Sequence, residues 1–162
     1  MLAVVSSKVF PTEAKRTQAT LWRERLLAAS DLASALAHLH STEAVAGHYV
    51  IFRDLKPSNL GFDAHNKLIL FDFGLAKLLT TDTNDKYEPT PETGSKRFMA
   101  PECARRQRYD HSCDLYSFGL IFWQICALKL PYASYGPNDH QRHFTDVVSL
   151  FFFCFFNYFH SS

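Results

Sequence analysis

The chain has 162 residues, with 17 Lys and Arg against 16 Asp and Glu, and a formal net charge of +1. That length holds one ordinary domain with a real core, and 47% apolar with 20% charged residues is a globular composition. Near-neutral charge excludes general attraction to nucleic acid or to a membrane surface.

Residues 1–20 are mixed and carry no motif. The apolar run at 2–5, beside Lys8, lacks the core of a signal peptide, so the cytoplasm is the default location. Residues 21–40 read as a helix, because Trp22, Leu26, Ala29, Ala33, Leu36 and Leu39 recur at three- and four-residue intervals. His38 and His40 stand two residues apart, on different sides of a helix, so a structural role is favoured over metal binding. A polar connection with Gly47 follows.

The informative stretch starts at Val50. Two apolar runs, 49–52 and 68–71, are strand-like in length and in β-branched or aromatic content. Each delivers a carboxylate, Asp54 or Asp72, to a loop where a ligand can meet it. Asp54, Lys56 and Asn59 share one loop stiffened by Pro57. So many polar groups are costly if buried alone, and they make sense facing a charged ligand. Carboxylate and amide oxygens suit Mg²⁺, Lys56 suits a phosphate, and Asp54 can accept a proton or orient a hydroxyl. Residues 59–62 are expected to form a short strand, with the Asp/Asn turn at 63–66 leading into 68–71. Gly74 is expected to let the backbone turn sharply after Asp72.

Beyond this, 80–93 is rich in Thr, Asp, Asn, Pro and Glu with no apolar period, and reads as a mobile loop. Residues 114–127 read as a second helix with Leu115, Phe118, Ile121, Phe122 and Ile125 on its apolar face. The stretch 147–159 contains six phenylalanines and no charge. Its thirteen residues are too few to cross a bilayer, which takes roughly twenty. Four cysteines, Cys103, Cys113, Cys126 and Cys154, show no C-x-x-C pairing or metal-ligand spacing, and read as isolated reduced thiols in an intracellular protein.

Three motifs occur in order: Arg53-Asp54-Leu55-Lys56-Pro57-Ser58-Asn59, then Asp72-Phe73-Gly74, then Ala100-Pro101-Glu102. Together they resemble the H-R-D-L-x-x-x-N, D-F-G and A-P-E signatures of the eukaryotic-type protein kinase family, with Phe52 where that family usually has His. The resemblance covers residues 21–135. It implies Asp54 at the substrate hydroxyl, Lys56 on the moving phosphoryl group, and Asn59 and Asp72 on Mg²⁺, with ATP and a protein as the substrates. Phe73, Gly74, Glu102 and Asp114 become structural residues, Asp114 by holding the catalytic-loop backbone. Ser95 takes the place of the threonine that meets the catalytic Asp and Lys, and with Lys56 it points to serine/threonine specificity. Arg53 is the group such kinases use to hold a phosphorylated loop residue, with Thr90 and Thr93 the favoured acceptors.

The implied fold is mainly α with a small β-hairpin region (α+β), a partial kinase-like large lobe without its N-terminal lobe. A whole kinase fold takes roughly 250 residues. None of the six glycines are spaced as a G-x-G-x-x-G loop. Lys8 with Glu24 is not adopted as the strand-lysine pair, because no further strands fit before the first helix. No Lys or Arg follows Arg142, so Glu102 lacks the arginine with which the family pairs it. The expected organisation is a non-motif segment at 1–20, a partial kinase domain at 21–135 and an atypical Phe-rich tail at 136–162. The expected function is a truncated serine/threonine kinase. The alternatives are a non-catalytic fragment acting as an interaction module and, for the tail, a membrane-associating segment.

Overall fold

The computed structural model describes residues 18–80 and 96–133. Three helices and two small antiparallel sheets make up this part. Helix α1 (Gln18–Leu39) comes first, followed by strand β1 (His48–Ile51). A one-turn 3-10 segment (Pro57–Asn59) leads into β2 (Leu60–Phe62) and β3 (Leu68–Leu70). A second 3-10 turn (Phe73–Leu75) precedes β4 (Lys77–Thr80). The short α2 (Pro101–Ala104) and the long α3 (Ser112–Ala127) complete it.

β2 and β3 form the expected hairpin, with Leu60 opposite Leu70 and Phe62 opposite Leu68. Its turn is built by Asp63, whose Oδ1 accepts from the backbone N–H of His65 (2.8 Å) and of Lys67 (2.9 Å). Asn66 takes the left-handed conformation there, which Asn tolerates better than most residues. β1 pairs with β4, His48 opposite Thr80 and Ile51 opposite Lys77. This second ladder is absent from the sequence reading. The run Lys77-Leu78-Leu79-Thr80 is short and opens on a lysine, and only its pairing with β1 makes it a strand.

Both long helices lie close to their expected spans, but both expected faces need correction. On α1, Leu26 is 52% exposed and Ala33 is exposed as well. The buried stripe is Leu21, Arg25, Ala28, Ala29, Leu32 and Leu36, which packs against α3 and β3. An arginine inside that stripe disguised it. The Arg25 guanidinium lies 5.2 Å from the Trp22 ring centroid, a cation–π contact that helps it tolerate burial. On α3, Leu115 is 51% exposed, and the buried side chains are Cys113, Asp114, Ser117, Leu120, Ile121, Gln124 and Ile125. Hydropathy alone misreads such a face, because Asp114 and Ser117 are inside for the bonds they make.

The main core joins Ala28, Leu32 and Leu36 of α1 to Leu68 of β3, to Phe98, and to Leu120, Ile121 and Ile125 of α3. Phe52 and Leu55, which flank Arg53-Asp54, belong to the same cluster. The polar loop is therefore anchored on both sides by fully buried apolar residues, and its position is set by core packing. A second, smaller cluster of Ile51, Ala100 and Cys113 seats the start of α2 against β1 and α3. Ser117 fastens the same region, donating from Oγ to the Phe98 carbonyl at 2.7 Å.

The start of α3 yields a pH-dependent prediction. Asp110 Oδ1 accepts from the Ser112 N–H at 2.8 Å, and this bond holds its carboxyl below the ordinary value of 3.8. A depressed folded pKa contributes stability above the unfolded pKa and loses it as pH falls through the folded value. Asp110→Ala is therefore expected to lower the urea midpoint at pH 7, and the difference from the parent should close as pH falls below 3.8. Midpoints measured at pH 7, 5, 4 and 3 check this.

Candidate active site

The site is built around one buried carboxylate that is not itself on the presenting loop. Asp114 is 0% exposed. Its Oδ2 accepts from the Phe52 N–H at 2.8 Å, and its Oδ1 from the Arg53 N–H at 2.8 Å. His40 Nε2 lies 2.9 Å from Oδ2. An ionised carboxylate only accepts, so the His40 nitrogen is the donor there. These partners supply the compensation that a buried charge requires. They also hold a strained backbone, since Arg53 sits at φ 66, a left-handed conformation costly to a residue with a side chain.

The loop then presents its polar groups. Asp54 and Asn59 are both only 5% exposed. Lys56 Nζ donates to Asp54 Oδ2 at 2.6 Å, and Asn59 Nδ2 donates to the Asp54 carbonyl (2.9 Å) and to Oδ2 (3.2 Å). Carboxylate, ammonium and amide thus meet at one point.

Three contacts tie this loop to the one bearing Asp72. The Phe71 N–H donates to the Asn59 carbonyl at 2.9 Å. The Phe52 and Phe73 rings meet edge to face at 5.0 Å, so the aromatic at position 52 packs on the Phe of Asp72-Phe73-Gly74. Arg53 Nε donates to the Leu75 carbonyl at 2.6 Å, and its Nη1 to the Tyr109 hydroxyl at 3.0 Å. Neither Leu75 nor Tyr109 was singled out in the sequence, where no spacing signal links them to Arg53.

The turn after β3 differs from its expected form. The left-handed residue is Asp72 (φ 60), not Gly74. The glycine is needed for close approach instead. Its N–H donates to Asp72 Oδ1 at 3.2 Å, and a Cβ there would stand 3.1 Å from the same oxygen. Asp72, Phe73 and Gly74 are all exposed. Glu102 is half-buried as the second residue of α2. Ser95, Thr90 and Thr93 lie outside the described residues, as do Lys8 and the Phe-rich tail. Among the described residues, no three His, Cys, Asp or Glu side chains form a group able to hold a metal ion, and no helix is long and apolar enough to cross a membrane.

A catalytic-type loop clamped by a helix carboxylate, and facing a second Asp-bearing loop, defines a protein-kinase-like site. The family model for the protein kinase domain matches residues 7–157, and the chain belongs to that family. It is 37% identical over 121 residues to the Arabidopsis thaliana serine/threonine-protein kinase VIK, covering 73% of this chain and 27% of the relative. It is 38% identical over 118 residues to a Drosophila melanogaster protein named putative mitogen-activated protein kinase kinase kinase 7-like, covering 72% and 28%. Over 110 residues it is 34% identical to human serine/threonine-protein kinase Nek2, covering 68% and 24%. The chain thus spans about a quarter of the length of the curated relatives it matches.

Proposed function

We propose that this chain carries the phosphoryl-transfer centre of a protein serine/threonine kinase. The observation that carries the reading is the contact of Lys56 Nζ with Asp54 Oδ2 at 2.6 Å, on a loop fixed by Asp114. A substrate hydroxyl reaching Asp54 meets an acceptor for its proton, and Lys56 beside it offsets charge on the incoming phosphoryl group. Such catalysis is mostly positioning and electrostatics, which is what a buried, pre-bonded loop provides.

The residues fit Mg²⁺-ATP. Asn59 turns its N–H donors to Asp54, which leaves its amide oxygen for a cation. Asp72 is exposed and keeps one oxygen on the Gly74 N–H, with the other available. Mg²⁺ usually takes only one or two protein oxygens and fills its shell with water and phosphate. That agrees with the lack of a larger ligand cluster among the described residues. When bound, Mg²⁺-ATP supplies the γ-phosphoryl group.

Serine/threonine specificity rests on Lys56 and Ser95 and on the names of the similar relatives. Regulation by phosphorylation at Thr90 or Thr93, received by Arg53, belongs to the same proposal. A non-catalytic interaction module is the second reading, favoured by exposed apolar groups at Phe71, Phe73 and Leu78. Transfer of labelled γ-phosphate to a mixed protein substrate separates the two readings. Label on serine and threonine supports the kinase, and no label from a cooperatively folded chain favours the module.

A further inference from the structure

Charge is close to balanced over the whole chain but not around α2. From Lys96 to Tyr109 five basic residues stand against one acidic residue, Glu102, in a chain of formal net charge +1. Arg97 is engaged, its Nη1 donating to the Pro131 and Tyr132 carbonyls. Arg106 and Arg108 are exposed, and neither guanidinium makes a hydrogen bond or an ion pair among the described residues.

The backbone at Arg106 adds an independent observation. α2 ends in a double closure, in which the Arg106 N–H donates to the Cys103 carbonyl at 3.1 Å and the Gln107 N–H to the Glu102 carbonyl at 2.9 Å. Such an ending needs a left-handed residue, a place that glycine usually fills. Here it is Arg106, at φ 57. A side chain in that conformation costs stability that glycine would not. An arginine at a glycine position therefore points to a use for its side chain outside the fold. The loop also adjoins the candidate active site. Tyr109, next after Arg108, accepts from Arg53 Nη1 at 3.0 Å, and Arg53 precedes Asp54.

We propose that Arg106 and Arg108 form a docking site for acidic residues of the protein substrate, so that the favoured substrates carry aspartate or glutamate near the serine or threonine that accepts phosphate. This rests on the kinase reading above and names its substrate class. Guanidinium groups suit carboxylates, which they can hold by two parallel charge-assisted hydrogen bonds. A nearly neutral chain has no broad positive field to gather nucleic acid or anionic lipid. A local basic loop beside Asp54 fits a segment of the substrate itself.

The test measures fluorescence anisotropy of two labelled peptides with the folded full chain. One has a central serine flanked by glutamates, and its twin carries glutamine in their place. The parent is expected to bind the acidic peptide about fivefold tighter or more, with the preference shrinking as salt is raised. Arg106→Gly with Arg108→Ala should remove most of that preference. Arg23→Ala with Lys67→Ala, which deletes equal charge from exposed places on α1 and the hairpin turn, should keep it. Arg106→Gly alone should raise the melting temperature by about 3 °C while weakening the acidic peptide, opposite effects that a merely structural residue would not give. Four results would overturn the proposal: equal affinity of the parent for the two peptides, equal loss of preference in the two double variants, a lower melting temperature in Arg106→Gly, or displacement of the acidic peptide just as readily by an oligothymidylate of equal charge. Transfer of labelled γ-phosphate to the same two peptides separates this proposal from the reading beneath it. Preferential binding without transfer supports the docking site and counts against the kinase, whereas equal transfer to both peptides supports the kinase and overturns the docking site.

Discussion

Asp54→Asn is expected to lower the phosphotransfer rate by about 10²–10⁴-fold, the usual worth of a positioned general acid–base group. The substitution keeps the side chain's shape and removes its charge. The amide no longer accepts a proton from a substrate hydroxyl, and it no longer holds Lys56, whose ammonium sits 2.6 Å from Oδ2. Asn59, which donates to the same oxygen and to the Asp54 carbonyl, keeps the second bond. The loop is therefore expected to stay in place, with nucleotide affinity changed little. A comparison of kcat with KM for ATP checks this. Equal loss in kcat and kcat/KM marks an interaction made only in the transition state. An unchanged kcat would reduce Asp54 to a structural anchor.

Asp114→Asn is expected to cost about 3–5 kcal/mol of stability, the range for breaking one side of a buried charged cluster. The carboxylate accepts from two backbone N–H groups and from His40 at 2.8–2.9 Å. An amide supplies one acceptor and turns an N–H₂ group towards the remaining donors. Hydrogen bonds to charged groups are worth about 1.5–3 kcal/mol each, and a buried donor left unmade costs its full desolvation. The left-handed Arg53 also loses the bond that stabilises it. For a chain of this size, the melting temperature should fall by roughly 10 °C. Leu115→Asn, one residue along and half-exposed, should stay within about 0.5 kcal/mol. Similar losses in the two variants would show that α3 is merely intolerant of substitution.

The helices, the β2–β3 hairpin and the family were legible because each rests on local signals: apolar periodicity, turn chemistry at Asp63 and Asn66, and three ordered motifs. What escaped depends on partners distant in sequence. β4 is a strand because β1 lies beside it. The true face of α1 includes Arg25, held against Trp22, and that of α3 includes Asp114 and Ser117, bonded to Phe52, Arg53 and Phe98. A hydropathy pattern scores such residues as surface. The site's residue types could be read from the motifs, but their bonding could not. Nothing in the spacing of Arg53, Leu75 and Tyr109 forecasts that one guanidinium joins all three.

The central claim is that the loops bearing Asn59 and Asp72 form a working Mg²⁺-ATP site. Titration calorimetry of the chain with ATP in excess Mg²⁺, beside Asp72→Ala, tests it most directly. The account predicts binding near micromolar, about −8 kcal/mol, weakened at least about tenfold in the variant, a loss of about 1.4 kcal/mol or more. Asp72 is exposed and outside the core, so the variant is expected to fold like the parent. Heatless titration of a cooperatively folded parent, or equal affinity in the two proteins, would contradict the account.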